Sequence, residues 1–437
     1  MRFCARVLLA ASAAIAAGGC TEVSAGGSAG AGRSEVHFTP PADAIDDGNG
    51  HTLRRFDGPS DPGAGGFVFT ISGEVNALTG YPYPPFDPSA TWMVDGWSWR
   101  IDEFLVVVDH VTLWTDPNES PSDPSKHGGQ VAHVDGPFVI DLHKGGPISG
   151  AGGAGEEAVA VAALSNQNDR GGSAFDGAAR YAFGFSTVPA PGDGTAINVN
   201  LDASEQADYQ AMVKAGYSVF YSGTATWAGG QKGPQGFGSC EPTTTSAGPY
   251  DFTKLPATMS FKLGFSTPTD YVNCIDYTAR SVRGVQTSPT ESAIEQITLH
   301  MDHPFWDSFA ENSPVHWDQV AAQYVGVANP VARTEDMKGV PFGPFIDRTG
   351  VVLPWRSCES LYVPAGNGAM SFGTLSVPQN PHGTCTGVVG QDFSKDDCPA
   401  IRDYYDFLRF TQSSQGHLNS QGACFVDRRY PAPAGGS

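Results

Sequence analysis

Histidine and aspartate recur two residues apart in this chain, as in His133 with Asp135, Asp141 with His143, and His300 with Asp302. On a strand, residues i and i+2 project from one face, so each pair would present an imidazole beside a carboxylate. That combination suits Zn²⁺, Cu²⁺ or Fe²⁺. The third pair is the densest in chemistry, lying in Thr298-Leu-His300-Met-Asp302-His303-Pro304-Phe-Trp306. Ile297, Leu299 and Met301 read as a buried row, with His300 and Asp302 in the opposite row beside Gln296 and Thr298. Residues two apart on a strand are separated by about 6–7 Å, too far to grip one small ion without a bend. The turn before Pro304 supplies the bend, since the residue before a proline is held extended, and it would bring His303 to the same point. A fourth ligand must come from elsewhere: His417, or Asp109 with His110 if their strand is adjacent. The plainer alternative makes the His300 row the wet face of a sheet. His316, beside Gln319 and Gln323 on the polar side of a helix, reads as solvent-facing and not as a ligand.

Asp109 and His110 sit inside Phe104–Trp114, a stretch apolar on both faces. A carboxylate there must be paired or neutralised. The structural reading is a hydrogen-bonded pair; the functional one is a buried ligand or acid–base group. An HxD pair on a β-sandwich also fits a non-haem iron enzyme with two histidines and one carboxylate. His300 and Asp302 would supply two ligands and His382 or His417 the third, but no arginine is placed to anchor a carboxylate cosubstrate. Trp92, Trp97, Trp99, Tyr81 and Tyr83 lie near proline-rich turns and would either stack on a sugar or cap a core edge. HExxH and P-loop signatures are absent, and the glycine run 150–155 opens no helix, so it reads as a flexible loop.

The elements that must position these residues are strands. Phe67, Phe69 and Ile71 alternate with Thr70, Ser72 and Glu74, and Met259, Phe261, Leu263 and Phe265 with Ser260, Lys262 and Gly264. Tyr181, Phe183 and Phe185 repeat the pattern, as do Val219, Tyr221 and Ala225. Period two with one wet face predicts antiparallel strands, and 104–114 a central strand covered on both sides. Three helices are predicted: after the capping box Asp202–Glu205 with Gly216 as its stop, from Ser313 through Tyr324, and from Pro399 to Gln415. Charged residues are only 16% of the chain, with 54 Gly and 33 Pro among 437 residues, which favours short strands and many loops. The expected fold is therefore mainly β: an antiparallel β-sandwich with a few short helices and a disulfide-fastened C-terminal cap.

The first residues read as an export leader: Arg2 and Arg6, the apolar run 7–11, then Ala17-Gly18-Gly19 before Cys20. A cysteine directly after small residues resembles a bacterial lipoprotein signal, in which Cys20 would be lipidated. Loss of Arg2 and Arg6 takes the net charge from −21 to −23, which repels phosphate backbones and argues against nucleic acid as a partner. Of eight cysteines, Cys240, Cys274, Cys358, Cys385, Cys398 and Cys424 remain beyond Cys4 and Cys20. An even count in an exported chain reads as up to three disulfides. Cys240 with Cys274 is the favoured pair, because both are isolated from the other four. Four segments follow: a lipoprotein signal (1–19), a Gly/Ala/Ser/Pro tether (20–65) with order starting near Phe67, a β-sandwich region (66–345) and a Cys-rich cap with one helix (346–437).

The phrases Val134-Asp-Gly-Pro-Phe-Val-Ile-Asp-Leu-His-Lys-Gly-Gly146, Thr298–Trp306 and Gln415-Gly-His-Leu-Asn-Ser-Gln-Gly422 together resemble a group of uncharacterised bacterial secreted lipoproteins. The resemblance spans most of the mature chain and implies export and anchoring, with no activity or ligand residues attached. The sequence thus reads as a lipid-anchored envelope protein, on the outer membrane of a bacterium, that binds rather than catalyses. Its expected ligand is a divalent metal (Zn, Cu or Fe) in the His300 region. The alternatives are a carbohydrate- or protein-binding lipoprotein without metal, and a non-haem iron enzyme.

Overall fold

A computed structural model describes residues 44–430 apart from 57, 86–92, 153–154, 168, 170–171, 231–251, 307–314 and 341–402. Cys20, Trp92, Cys240, Cys358, Cys385, Cys398 and His382 lie outside the described residues. In chain order come β1 (Arg54–Arg55), β2 (Phe67–Ser72), α1 (Glu74–Thr79), β3 (Trp97–Trp114), β4 (Gln130–Val134) and β5 (Phe138–Asp141). Next are β6 (Ile148–Ser149), β7 (Glu157–Leu164), β8 (Ala182–Thr187), β9 (Ile197–Asn198), α2 (Gln206–Ala215), β10 (Val219–Trp227) and β11 (Thr258–Phe265). Then follow β12 (Thr269–Val272), β13 (Ile275–Asp276), β14 (Val282–Arg283), β15 (Ala293–Leu299), α3 (Asp318–Ala321) and β16 (Val331–Ala332). The last are α4 (Tyr404–Gln412), β17 (Gly416–Leu418), β18 (Gly422–Ala423) and β19 (Phe425–Arg428).

Eleven strands form one sheet, with β1-β9-β5-β3-β10-β11-β16 as its spine, and six form a second in the order β18-β17-β15-β2-β7-β6. The fold is mainly β, as the alternating patterns require. The two sheets share one core: Phe69 of β2 stacks on Phe183 of β8 with ring centroids 5.4 Å apart, and Phe104, Val106 and Val108 of β3 join Ile71, Val159 and Ile297. The other face of β3 carries Leu105 and Val107, buried under Tyr209 and Met212 of α2 and under Ile45 and Leu53. Period-two alternation with apolar residues in both rows thus produces the doubly covered strand expected from its sequence. Burial of such side chains contributes about 1.5–3 kcal/mol each.

Several expectations change. Order begins well before Phe67: Ile45, Leu53 and Phe56 are buried, and β1 pairs in parallel with β9. These large apolar residues lie among glycines and prolines whose composition masks them. The helix beginning after Asp202–Glu205 forms as read, and Gly216 stops it in the left-handed region at φ 67. The second is shorter, a single α turn at α3 followed by a 3-10 turn, and its surroundings are not solvent. His316 is 4% exposed, with Nδ1 3.7 Å from Asp95 Oδ2, so its assignment to a wet face is corrected. The third starts at Tyr404, where Asp403 caps it through Asp406 N–H. Cys274 pairs with Cys424, not with Cys240. Isolation in sequence misled here, because β12 and β19 are antiparallel neighbours whose ends place Cys274 and Cys424 together. The disulfide fastens the C-terminal stretch, which also enters both sheets: β17 and β18 extend the smaller, and β19 the larger.

Candidate metal centre

The smaller sheet brings three distant segments to one point. β2 and β15 run parallel, with Ser72 opposite Thr298, so both strands end at the same side. Residues just beyond those ends, Glu74 and His300, therefore meet although 226 positions separate them in the sequence. On the other side of β15, β17 is antiparallel and sets His417 opposite Thr298. His300 lies two residues past Thr298, on the same face, so His300 and His417 are diagonal neighbours across two strands. The His300 N–H donates to Gln415 O at 2.9 Å, which continues the ladder one step. Beyond it the chain bends into a 3-10 turn over His303–Phe305 with Pro304 at its start.

That bend carries His303 inward. The rings of His300 and His417 stack at 4.2 Å, and His303 stands edge-on to both at 5.4 Å. One ligand atom from each of the three lies within 4.8 Å of the others, a grouping that could hold a metal ion. All three residues are buried, so the row that could have been the wet face of a sheet is enclosed, along with Gln296 and Thr298.

Their hydrogen bonds orient the rings. His303 Nδ1 is 2.8 Å from Ser414 Oγ, and that hydroxyl donates its single proton to Thr411 O. Ser414 must therefore accept from Nδ1–H, which leaves the lone pair of neutral His303 on Nε2. That atom is buried and has no hydrogen-bond partner. His300 Nε2 donates to Ser420 O at 3.0 Å, with Glu74 Oε1 3.5 Å from the same nitrogen. In the neutral ring the lone pair then sits on Nδ1. A carbonyl or hydroxyl behind a ligating imidazole is the usual arrangement that fixes its tautomer. The turn supplying Ser420 is held in place: Asn419 and Ser420 both have positive φ, Ser420 N–H donates to Thr298 Oγ1, and Asn419 Nδ2 donates to Asp276 and Glu295.

His417 differs, since neither of its nitrogens makes a hydrogen bond. The nearby backbone of Gln421 opposes burial by favouring the protonated ring. Burial drives His303 and His417 well below the usual imidazole range, and His300 repels a second charge on either. Both rings are accordingly neutral at neutral pH, the form that binds metals. A polar atom left unpaired in a core costs about 1–3 kcal/mol, so the orphaned nitrogens on two converging rings are ones that an ion could satisfy. Gln415 Nε2 and Tyr81 Oη are likewise buried and unpartnered. Asp302 and Glu74 reinforce burial in raising the Tyr81 hydroxyl well above its ordinary range.

The remaining sequence-predicted residues fall elsewhere. Asp302 is not part of the imidazole group; its Oδ2 accepts from Trp306 Nε1 at 3.2 Å. The turn that swings His303 in carries the Asp302 carboxylate to Trp306 instead, which leaves an HxD facial triad without its acid. Asp109 and His110 lie on β3 of the other sheet, grouped with Asp135, and supply no fourth ligand to the trio. His143 Nδ1 is bonded to Ala77 O, and Asp141 Oδ1 accepts from Phe104 and His143 N–H, so that pair braces α1 against β3. Tyr81, Tyr83, Trp97 and Trp99 are buried, Trp99 with Phe305 and Trp317 at 4.3 and 4.5 Å, and they present no face for a sugar. Sequence reading missed Glu74, Ser414 and Ser420. Glu74 carries the one detectable signal, a charge closing the polar row of an alternating strand, but only the parallel β2–β15 register shows what it meets. Its φ of 60 is a left-handed conformation costing about 1–3 kcal/mol in a non-glycine residue. No protein-family model matches the chain, and neither the curated proteins nor the solved structures contain a similar one.

Proposed function

We propose that this chain is a lipid-anchored envelope protein that binds a divalent transition-metal ion through His300, His303 and His417. The observation that carries the metal reading is the convergence of three buried imidazoles, two of them with orphaned nitrogens. Three imidazole nitrogen donors suit Zn²⁺, Cu²⁺ or Fe²⁺, and three protein ligands leave a fourth position for water or a small ligand. Ser414 and Ser420 orient His303 and His300, and Glu74 stands behind the His300 N–H, where a carboxylate strengthens the ring as a donor. Binding is favoured over catalysis because, among the described residues, the group consists of imidazoles alone, with the Glu74 carboxylate behind the His300 ring. Anchoring rests on the leader sequence and Cys20. No helix among the described residues is long and apolar enough to cross a membrane.

Elemental analysis of protein purified without a histidine tag tests the metal reading. About one tightly held equivalent of a transition metal is expected at the trio, lost in His303→Ala and His417→Ala variants that keep the wild-type circular dichroism. Metal-free wild-type protein that takes up no Zn²⁺, Cu²⁺ or Fe²⁺ would overturn it. The anchor is tested separately: intact mass should show acyl chains on Cys20 that Cys20→Ser removes, and a soluble species cut at another residue would defeat that part alone.

A further inference from the structure

The eleven-stranded sheet breaks at one level on both edges of β3. On one edge β5 pairs through Val108↔Phe138 and β4 resumes at Val111↔Val134, so Asp135-Gly136-Pro137 face Asp109-His110 where neither strand continues its ladder. On the other edge the β8 register shifts between Asp109 and Thr112. His110 takes φ 52, a left-handed conformation inside an eighteen-residue strand. The facing loop is seated tightly: Asp109 Oδ1 accepts N–H from both His110 (2.8 Å) and Gly136 (2.6 Å). A Cβ at Gly136 would lie 2.4 Å from Phe138 N and 2.8 Å from Val108 O, so only glycine fits there.

The break gathers an alternating row of acids and imidazoles. His110 Nδ1 is 3.1 Å from Asp135 Oδ1 and 3.6 Å from Asp109 Oδ1. The other Asp135 oxygen is 3.6 Å from His133 Nε2, and His133 Nδ1 is 2.7 Å from Asp169 Oδ2. One ligand atom each of Asp109, His110 and Asp135 lies within 4.8 Å of the others. Among the described residues no lysine or arginine pairs with Asp109 or Asp135; the nearby Asp270 is taken by Arg429 and Ser186. Two carboxylates facing one ring thus have a charge deficit that a single imidazole proton does not balance and a divalent ion does.

We propose that Asp109, His110 and Asp135 form a second, solvent-open site for a divalent transition-metal ion, with His133 held beside it by Asp169. Imidazole with carboxylates selects Zn²⁺, Co²⁺ or Ni²⁺ over Mg²⁺ and Ca²⁺, which take oxygen alone. His110 and Asp135 side chains are 60% and 58% exposed, so water completes the shell and the ion exchanges freely. This site is independent of the buried trio.

Calorimetric titration of tag-free, chelator-stripped protein with Zn²⁺ is the test. Wild type should take up two equivalents, and His110→Asn with Asp135→Asn should weaken one of them by at least about tenfold. Asparagine is chosen because it tolerates the left-handed backbone at position 110. A His303→Ala, His417→Ala protein should keep the equivalent that the asparagine variant loses, which separates failure of one site from failure of the other. Unchanged affinity and stoichiometry in the asparagine variant overturn the proposal. Should that variant fold poorly, Co²⁺ added to wild type decides: selective broadening of the His110 and His133 ring resonances is expected, and no broadening there overturns it.

Discussion

The buried trio and the surface row use the same residue types in opposite surroundings. In the trio, burial strips protons from His303 and His417, and orientation of His303 and His300 comes from a serine hydroxyl and a backbone carbonyl. In the row, carboxylates surround rings that remain in water, and they outweigh the desolvation that would depress His110, so its pKa rises. A histidine's neighbours therefore decide whether it meets a metal ready-made or must first give up a proton. The trio should bind tightly and exchange slowly, and the row weakly, with protons competing.

The largest expected effect separates the two regions by covalent chemistry. Reduction of Cys274–Cys424, which closes a 150-residue separation, should destabilise the fold by about 5 kcal/mol in the chain-entropy account. His417 sits seven residues before Cys424. Reduced protein should therefore lose metal at the trio while the row, on β3 and β4, keeps its own; equal loss at both would erase the distinction. Next in size is the metal itself. An ion held at a hundredfold above its dissociation constant stabilises by about 2.7 kcal/mol, and thermal melts should show this gain in wild type and not in His417→Ala.

pH separates the regions by sign. His303 and His417 have folded-state pKa values depressed below those of the unfolded chain, so the unfolded state binds more protons near and below pH 6.5. Their contribution is intact above the unfolded pKa and is lost as pH falls towards the folded values. His110 is the reverse: its raised pKa stabilises the fold below the unfolded value, and this is lost as pH rises through the folded one. Denaturant titrations across pH 5–8 on metal-free protein should show stability falling on acidification, and His303→Ala with His417→Ala should flatten that slope. Smaller still, Asp403→Ala removes the cap of α4 and should cost about 1 kcal/mol. The finest test is the NMR titration of His110, whose midpoint should drop in Asp135→Asn.

The strands were legible because alternation and burial have one cause: side chains two apart share a face. Phe104–Trp114 announced a doubly covered strand on that ground alone. The contribution of His303 was legible too, because Pro304 forces a bend at a known place. The parallel pairing of β2 with β15 was not, since neither strand carries a mark of its neighbour's direction, and with it went Glu74. Asp302 failed for a local reason: spacing places a carboxylate on a face, whereas a turn one residue later hands it to Trp306. His417 was named from the chemistry of its side chain, and only the antiparallel β15–β17 register explains why it arrives. Cys274 and Cys424 show the same limit, because contact between chain ends depends on sheet order.

The order of strands in the smaller sheet also has a consequence in time. Its central pair, β2 and β15, joins the early part of the chain to its last third, and β17 closes the edge with residues 416–418. No nascent chain can present all three imidazoles until nearly its whole length has been made and released. Were an ion to bind the three imidazoles, its identity would be settled where the polypeptide finishes folding, after these last residues are in place.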